Sequence, residues 1–150
     1  MTVKRNLATA GALTILLLTA CVSADFRTRE ADFRVPLADG ATRLFFVQST
    51  HEMNTRAVDI DTAGKVLRDV RVLTDERLGV MRSGITSDVV LAEIGRPYRK
   101  IVFERQNQTA WDYRYRDNGG YIVEFSVMLD ANNIVASKAS RRIEPGRDDH

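Results

Sequence analysis

Apolar and polar residues alternate along most of the chain after residue 33, and this period of two is typical of half-buried β-strands. The alternation is clearest in residues 55–60, 66–72, 109–116 and 121–129. Three further short runs complete the predicted strands: residues 43–48, 100–105 and 134–139. Segments containing Gly or Asn fit turns between neighbouring strands, at residues 61–64, 117–120 and 130–133. The pattern therefore predicts antiparallel strands joined by tight turns.

Two short segments in the middle of the chain have helical spacing instead. Thr74 can cap a first helix, and Thr86 can cap a second helix over residues 87–94. Gly95 follows as a C-terminal cap residue, and Pro97 prevents the helix from continuing. Because each helix is short and has one apolar face, each needs a sheet to pack on. We therefore expect an α+β domain, with a two-helix hairpin on one face of an antiparallel sheet of about six or seven strands.

The predicted turns contain an internal echo. Asp61 and Asp130 each begin a turn of the same length that is followed by a valine-containing strand, 69 residues apart. The same offset places Leu44 on Tyr113 without a gap. Two explanations are open: hairpins of similar length look alike, or the chain contains a duplicated helix-helix-strand unit whose first copy has lost its helices.

The first residues of the chain have the pattern of a secretory signal. Lys4 and Arg5 precede residues 7–19, which are uncharged and apolar. The segment is shorter than the roughly 20 apolar residues that span a bilayer. It ends in four residues that resemble the lipobox of bacterial lipoprotein precursors: Leu18, Thr19, Ala20 and Cys21. The resemblance implies cleavage before Cys21 and acylation of its thiol; an ordinary cleavage site and a retained signal anchor are the alternatives.

Charge and cysteine content narrow the functional classes. The chain has 22 basic and 20 acidic residues, and the segment before Cys21 holds two of the basic residues and no acid. The remaining chain is therefore neutral, which gives no argument for nucleic-acid binding. Cys21 is the only cysteine, so acylation would leave no thiol for a disulfide, a metal or a nucleophile. The two histidines, His51 and His150, lie in a predicted turn and at the C-terminus.

Residues 78–137 resemble the SmpA/OmlA family of outer-membrane lipoproteins, the BamE-like proteins of the β-barrel assembly machinery. The resemblance depends on short motifs in a fixed order: Gly84-Ile85-Thr86, Val89-Val90-Leu91, Gly95-Arg96-Pro97, Trp111-Asp112-Tyr113, Phe125, Asp130 and Val135. Ile85 stands where the family usually has Met, and Asn133 where it often has Gly. The resemblance implies a lipid-anchored periplasmic adaptor at the outer membrane that supports β-barrel assembly or envelope integrity. The implied partners are the membrane, through the acyl chains, and the β-barrel assembly components.

The expected organisation follows from these patterns. It comprises a signal peptide (residues 1–20), an acylated cysteine and tether (21–30), strands that extend the sheet (31–73), a BamE-like domain (74–140) and a flexible tail (141–150). The motif residues are interpreted as structural: Gly84, Thr86, Gly95, Pro97, Trp111, Tyr113, Phe125 and Asp130. The opposite face of the Trp111 hairpin is a candidate partner surface, formed by Asp112, Arg114, Arg116 and Glu124.

No pattern in the sequence predicts an enzyme. Ser49, His51 and Glu52 are too close in sequence to form a triad, whose members converge from separate elements. A hairpin turn explains Asp59 and Asp61 better than a catalytic carboxylate pair does. We expect no catalytic residue, no metal, no cofactor and no nucleic-acid partner. The alternative function is a protein inhibitor or ligand-binding lipoprotein with a β-lactamase-inhibitor-like fold, and an envelope hydrolase is a third class.

Overall fold

The computed structural model describes residues 29–48 and 54–143. Several predictions concern residues outside these ranges: the signal peptide, the lipobox with Cys21, most of the tether, the His51 turn and residues 144–150. The described residues carry the remaining predictions, including the strands, both helices and the candidate partner surface.

The described residues form eight strands, two short α-helices and one 3₁₀ turn. In chain order the elements are β1 (Phe33–Pro36), β2 (Thr42–Val47), β3 (Thr55–Ile60), β4 (Val66–Arg71), α1 (Asp75–Gly79), α2 (Ser87–Ile94), β5 (Arg99–Phe103), the 3₁₀ turn (Glu104–Gln106), β6 (Gln108–Arg116), β7 (Ile122–Leu129) and β8 (Val135–Arg142). Strand β8 continues three residues beyond the predicted end of the last strand. The prediction that a tail begins at residue 141 is therefore wrong, because Arg141 and Arg142 pair with β7.

The strands form two antiparallel sheets of four, each a simple meander. The first sheet has the order β1-β2-β3-β4 and the second has the order β5-β6-β7-β8. The prediction of an α+β domain with one sheet of six or seven strands is therefore wrong, and the chain has a β-rich two-sheet fold. Strands β1 to β4, which lie within the predicted segment 31–73, form a sheet of their own and do not extend the second one. Both helices lie in the connection between β4 and β5, so the chain leaves the first sheet before it starts the second.

One hydrophobic core joins the two sheets and the helices. Its buried residues come from both sheets, both helices and the chain that links β4 to α2: Phe45, Ala57, Val72, Leu73, Leu78, Met81, Val90, Ile94, Trp111, Tyr113, Tyr115, Val123, Phe125, Val127, Leu129 and Val135. Helix α2 contacts both sheets at its C-terminal end. The Gly95 carbonyl accepts a hydrogen bond from the Tyr113 hydroxyl at 3.1 Å, while Gly95 Cα packs beside the ring of Phe45. The sequence predicts the helices on one face of one sheet, but α2 packs against both sheets.

Both predicted helix caps are confirmed. The Thr74 hydroxyl accepts a hydrogen bond from the Arg77 amide, and the Thr86 hydroxyl accepts one from the Val89 amide. These bonds satisfy backbone N–H groups that a helix cannot pair internally. Gly95 ends α2 with φ 82° and ψ −163°, a conformation essentially restricted to glycine.

Helix α1 is held to the second sheet through its first residue. The Asp75 carboxylate accepts hydrogen bonds from the Tyr115 hydroxyl at 2.7 Å and from the Asn118 amide at 3.0 Å. The Tyr115 hydrogen bond is the main reason that the pKa of Asp75 lies below its ordinary value. A helix of five residues is unstable by itself, so these contacts and the burial of Leu78 keep it in place.

The internal echo appears in the structure as two turns of the same type. The Asp61 and Asp130 turns have the same hydrogen bonds: each Asp amide donates to the carbonyl four residues later, and each carboxylate accepts from that residue's amide. Gly64 and Asn133 occupy the same position with positive φ, 79° and 60°. Each turn also lies beside a register shift, which falls at Asp59/Ile60 in the first sheet and at Met128/Leu129 in the second. The Asp117 turn between β6 and β7 has the same hydrogen bonds, and its Gly120 has φ 85°. The likeness is therefore a property of this common turn type and gives no argument for duplication.

The offset of 69 holds for the last two strands of each meander but not for the second strand. Leu44 lies opposite Val58 in the first sheet, and Trp111 lies opposite Val127 in the second. Leu44 therefore corresponds to Trp111 rather than to Tyr113. The predicted alignment is wrong by two residues at this strand because Trp111 and Val127 are 16 positions apart in the chain, whereas Leu44 and Val58 are 14 positions apart.

The two meanders present opposite faces to the helices. Ala57 belongs to the shared core, and Asp59, on the same face of β3, lies beside α2 through its pairing with Arg43. The corresponding residues of β7 are Ser126 and Met128, which point away from the core. The outer face of the second sheet thus corresponds to the helix-covered face of the first.

Candidate functional site

The outer face of the second sheet, which points away from the helices, carries a dense polar network. We call its members the outer-face network: Tyr98, Arg99, Asp112, Arg114, Glu124, Ser126 and Arg141. Alternation along β6 and β7 places Asp112, Arg114, Glu124 and Ser126 on this face. Trp111, Tyr113 and Phe125 alternate with them and project into the core. The network contains all of the ion pairs that the second sheet makes on this face within the described residues.

Glu124 is the centre of the network. It lies between Arg114 on β6 and Arg141 on β8 in the strand register, and it is only 4% exposed. Arg141 donates two hydrogen bonds to Glu124 Oε1, at 2.8 and 2.9 Å, and the Tyr98 hydroxyl donates a short one to Oε2. Burial acts to raise the pKa of Glu124, but the hydrogen bonds from Tyr98 and Arg141 and the neighbouring positive charges outweigh it, so this pKa is lowered. The carboxylate is therefore held ionised.

Asp112 is a second buried carboxylate, 2% exposed. Arg99 donates to its Oδ2 from Nε at 2.9 Å and pairs with it through Nη2 at 2.7 Å. The Ser126 hydroxyl donates to Oδ1 at 2.6 Å. The hydrogen bond to Asp112 is the main reason that the pKa of Arg99 is raised. Both oxygens of this carboxylate are thus occupied within the sheet.

Arg114 is placed differently from the other two arginines of the network. Its guanidinium carbon lies 4.5 Å from the centre of the Tyr98 ring, a cation–π geometry. Its Nε is buried and has no hydrogen-bond partner within the described residues; Glu124 Oε2 is 3.8 Å away. The side chain is 30% exposed. The stacking on Tyr98 orients the guanidinium without using its donors.

The charges of this face do not balance. Three arginines of the network face two carboxylates. Arg116, which follows Arg114 on the same face of β6, is exposed and donates to the Gly120 carbonyl. It has no acidic partner among residues 29–48 and 54–143. The face therefore carries excess positive charge next to two carboxylates that are already paired.

The structure brings the four predicted partner-surface residues onto one face, but it divides them into two kinds. Asp112 and Glu124 are buried and paired, so they cannot form the solvated surface that the sequence suggests. Arg114 and Arg116 are accessible. The two acids position the arginines around them instead of offering charge to a partner.

The predicted structural residues are spread through the fold. Trp111, Tyr113 and Phe125 are core residues, 7%, 1% and 3% exposed. Asp130 holds the β7–β8 turn, as described above, and the Gly84 amide donates to the Val135 carbonyl at 2.9 Å. The remaining predicted residues lie around α2: Thr86 at its start, Gly95 at its end and the half-buried Pro97 just after it.

Sequence reasoning misses Tyr98, Arg99 and Arg141. The charged neighbours of Arg141 suggest a tail, but β8 includes Arg141 and pairs it with Glu124 on the same face of the sheet. Arg99 could have been found from the alternation of β5, since it lies opposite Asp112. Tyr98 precedes the strand and carries no periodic signal, so only the fold shows its contact with Glu124.

Comparison of the chain with protein-family models, with curated proteins and with solved structures finds no significant match. Within the described ranges, no group of three or more His, Cys, Asp or Glu side chains is arranged to hold a metal ion. Neither described helix combines the length and the hydropathy needed to cross a membrane.

Proposed function

We propose that the protein is a lipid-anchored periplasmic adaptor at the outer membrane, which supports β-barrel protein assembly or envelope integrity. Its anchor would be the acylated Cys21 at the end of the signal segment. Two or more acyl chains attach a protein stably to a bilayer without a membrane-spanning helix. The resemblance of residues 78–137 to the SmpA/OmlA lipoproteins is consistent with this location and with a non-enzymatic function.

The observation that carries the binding part of this proposal is the accessible arginine pair on the outer face of the second sheet. Arg114 is held by stacking on Tyr98, and its buried Nε makes no hydrogen bond among the described residues. Arg116 lies beside it and is exposed. Pre-oriented donors on a rigid sheet favour recognition of a partner, because little side-chain entropy is lost when such a group binds.

The anchor is tested by fractionation. Replacement of Cys21 with Ser removes the acylated thiol, and we expect the protein to leave the membrane fraction. Mass spectrometry of the native product should detect fatty acids on a mature chain that begins at Cys21. A Cys21→Ser protein that stays with the membrane, or an unmodified product with an intact leader, would contradict the anchor.

The adaptor function is tested by affinity capture from detergent-solubilised envelopes. We expect β-barrel assembly components with the wild-type protein and much less of them with the double variant Arg114→Glu/Arg116→Glu. The double variant Arg82→Glu/Arg105→Glu makes the same change of charge at exposed positions outside this face and should capture as much as the wild type. Capture of a soluble periplasmic enzyme in place of assembly components would favour the inhibitor function instead.

A further inference from the structure

The outer-face network has a ready counterpart within the same chain. The helix-covered face of the first sheet is already an interface between a sheet and a helix. There Arg43 donates two hydrogen bonds to Asp59, at 2.6 and 2.9 Å, and a third to the Ala92 carbonyl of α2 at 2.8 Å. The Glu93 carboxylate of α2 lies 3.6 Å from Arg43. On this face, an arginine held by a sheet carboxylate binds an acidic segment of another element.

The outer face of the second sheet also carries arginines and carboxylates, although at other positions of its meander, and neither described helix lies on it. Its carboxylates, Asp112 and Glu124, are paired by Arg99 and Arg141. Arg114 remains, oriented by Tyr98 and without a hydrogen bond to its buried Nε within the described residues. The Nε itself is buried, so an incoming acceptor would bind the terminal nitrogens of this side chain, which is 30% exposed.

We propose that the outer-face network docks an acidic segment of a partner protein, with a carboxylate of the partner bound by Arg114. The inference specifies the partner chemistry of the proposed adaptor and rests on that function. A carboxylate matches the planar fork of a guanidinium and forms charge-assisted hydrogen bonds with it. Arg116, the next residue along the same face of β6, adds a second positive charge for a neighbouring acid.

The same arginines face a second type of anion if the protein is anchored to a membrane, namely the phosphates of lipid headgroups. The excess positive charge is confined to two arginines, whereas membrane-binding surfaces typically have about four to eight basic residues. So small a patch favours a protein carboxylate over a membrane surface.

The test uses the full chain in non-ionic detergent micelles and isothermal titration calorimetry at low salt. The probe is tetraglutamate with blocked ends, and tetraglutamine is the neutral control. We expect tetraglutamate to bind and tetraglutamine not to bind. Loss of a charge-assisted pair should lower the affinity of Arg114→Gln about tenfold or more. Arg82→Gln removes the same charge from an exposed loop position and should change the affinity less than about twofold.

Folding of each variant is checked by urea unfolding. If Arg114→Gln is unfolded, Arg114→Lys replaces it: the charge stays, the forked donor geometry is lost, and we still expect weaker binding. Equal weakening by the Arg114 and Arg82 variants, or no binding of tetraglutamate, would overturn the inference. So would binding of inorganic phosphate or of anionic vesicles with the same dependence on Arg114 and with higher affinity than tetraglutamate.

The results for the two proposals can be separated. If the protein still captures envelope partners, but its affinity for tetraglutamate is the same with and without Arg114, the adaptor function stands and the carboxylate site is wrong. If tetraglutamate binding depends on Arg114 but no envelope partner is captured, the carboxylate site stands and the adaptor function is wrong.

Discussion

Replacement of Gly95 with Ala tests the packing of α2 between the sheets. Gly95 has φ 82° and ψ −163° at the C-terminal end of the helix. A Cβ at this position would lie 3.1 Å from Phe45 Cδ1 and 3.3 Å from Phe45 Cε1. Phe45 is 1% exposed and cannot move aside without disturbing the core. The substitution therefore combines backbone strain with steric crowding.

The expected cost follows from these two effects. A non-glycine residue in this backbone region costs about 1–3 kcal/mol, and an extra methyl group forced into a packed core costs about 1–3 kcal/mol. Together they give about 2–6 kcal/mol. Because a small domain has a total stability of about 5–15 kcal/mol, this change would remove a large part of it.

Urea unfolding followed by circular dichroism measures the effect, and the same chain supplies matched controls. Gly64 has φ 79°, but a Cβ at that position would meet no heavy atom within 4 Å, so Gly64→Ala should cost about 1–2 kcal/mol from the backbone alone. Gly64→Asn should cost less, because Asn133 occupies the corresponding turn position in the second meander with φ 60°. Gly95→Ala should lower the urea midpoint far more than either control.

A double-mutant cycle isolates the steric part. Phe45→Leu in the Gly95→Ala background shortens the side chain that meets the new methyl group, and we expect a favourable coupling energy of about 0.5–3 kcal/mol. If Gly95→Ala costs no more than Gly64→Ala, or if the cycle shows no coupling, then Gly95 is not needed for the approach of α2 to the first sheet.

Three further outcomes are expected. Arg43→Met leaves the buried Asp59 unpaired and should cost about 3–5 kcal/mol of folding stability. In urea unfolding, the double variant Arg43→Met/Asp59→Leu should recover much of that loss. A double variant as unstable as the single one would contradict this. The pKa of Glu124 lies below its ordinary value of 4.5 when the protein is folded. The stabilising contribution of the ionised carboxylate should therefore be complete above about pH 4.5 and decline as the pH falls through the lower folded pKa. The stability difference between wild type and Glu124→Gln should accordingly be smaller at about pH 3 than at about pH 6. The same difference at both pH values would count against the ionised carboxylate. Thr86→Ala removes the α2 cap and should cost about 1 kcal/mol, whereas Thr86→Ser keeps the hydroxyl and should cost less; equal losses would argue against the cap.

Most of the local structure could be predicted from the sequence. Strand β3 has the predicted bounds, residues 55–60, and the other main strands lie within a few residues of their predicted ends. Thr74 and Thr86 identified the helix starts because a cap depends on residues only three positions apart. The Asp61 and Asp130 turns were equally visible, since their hydrogen bonds are made within five residues. Such signals are local, and the free energies behind them need no distant partner.

Long-range packing sets which strands pair and which faces are buried. The alternation of β4 and β5 is compatible with one continuous sheet, but both helices lie between them and contribute apolar residues to a core shared by two separate sheets. The same holds for the candidate site. Asp112 and Glu124 look like solvated charges in the sequence, and they become buried, paired carboxylates only because β5 and β8 bring Arg99 and Arg141 beside them. Pairing of this kind depends on groups far apart in the chain, so alternation along one strand cannot reveal it.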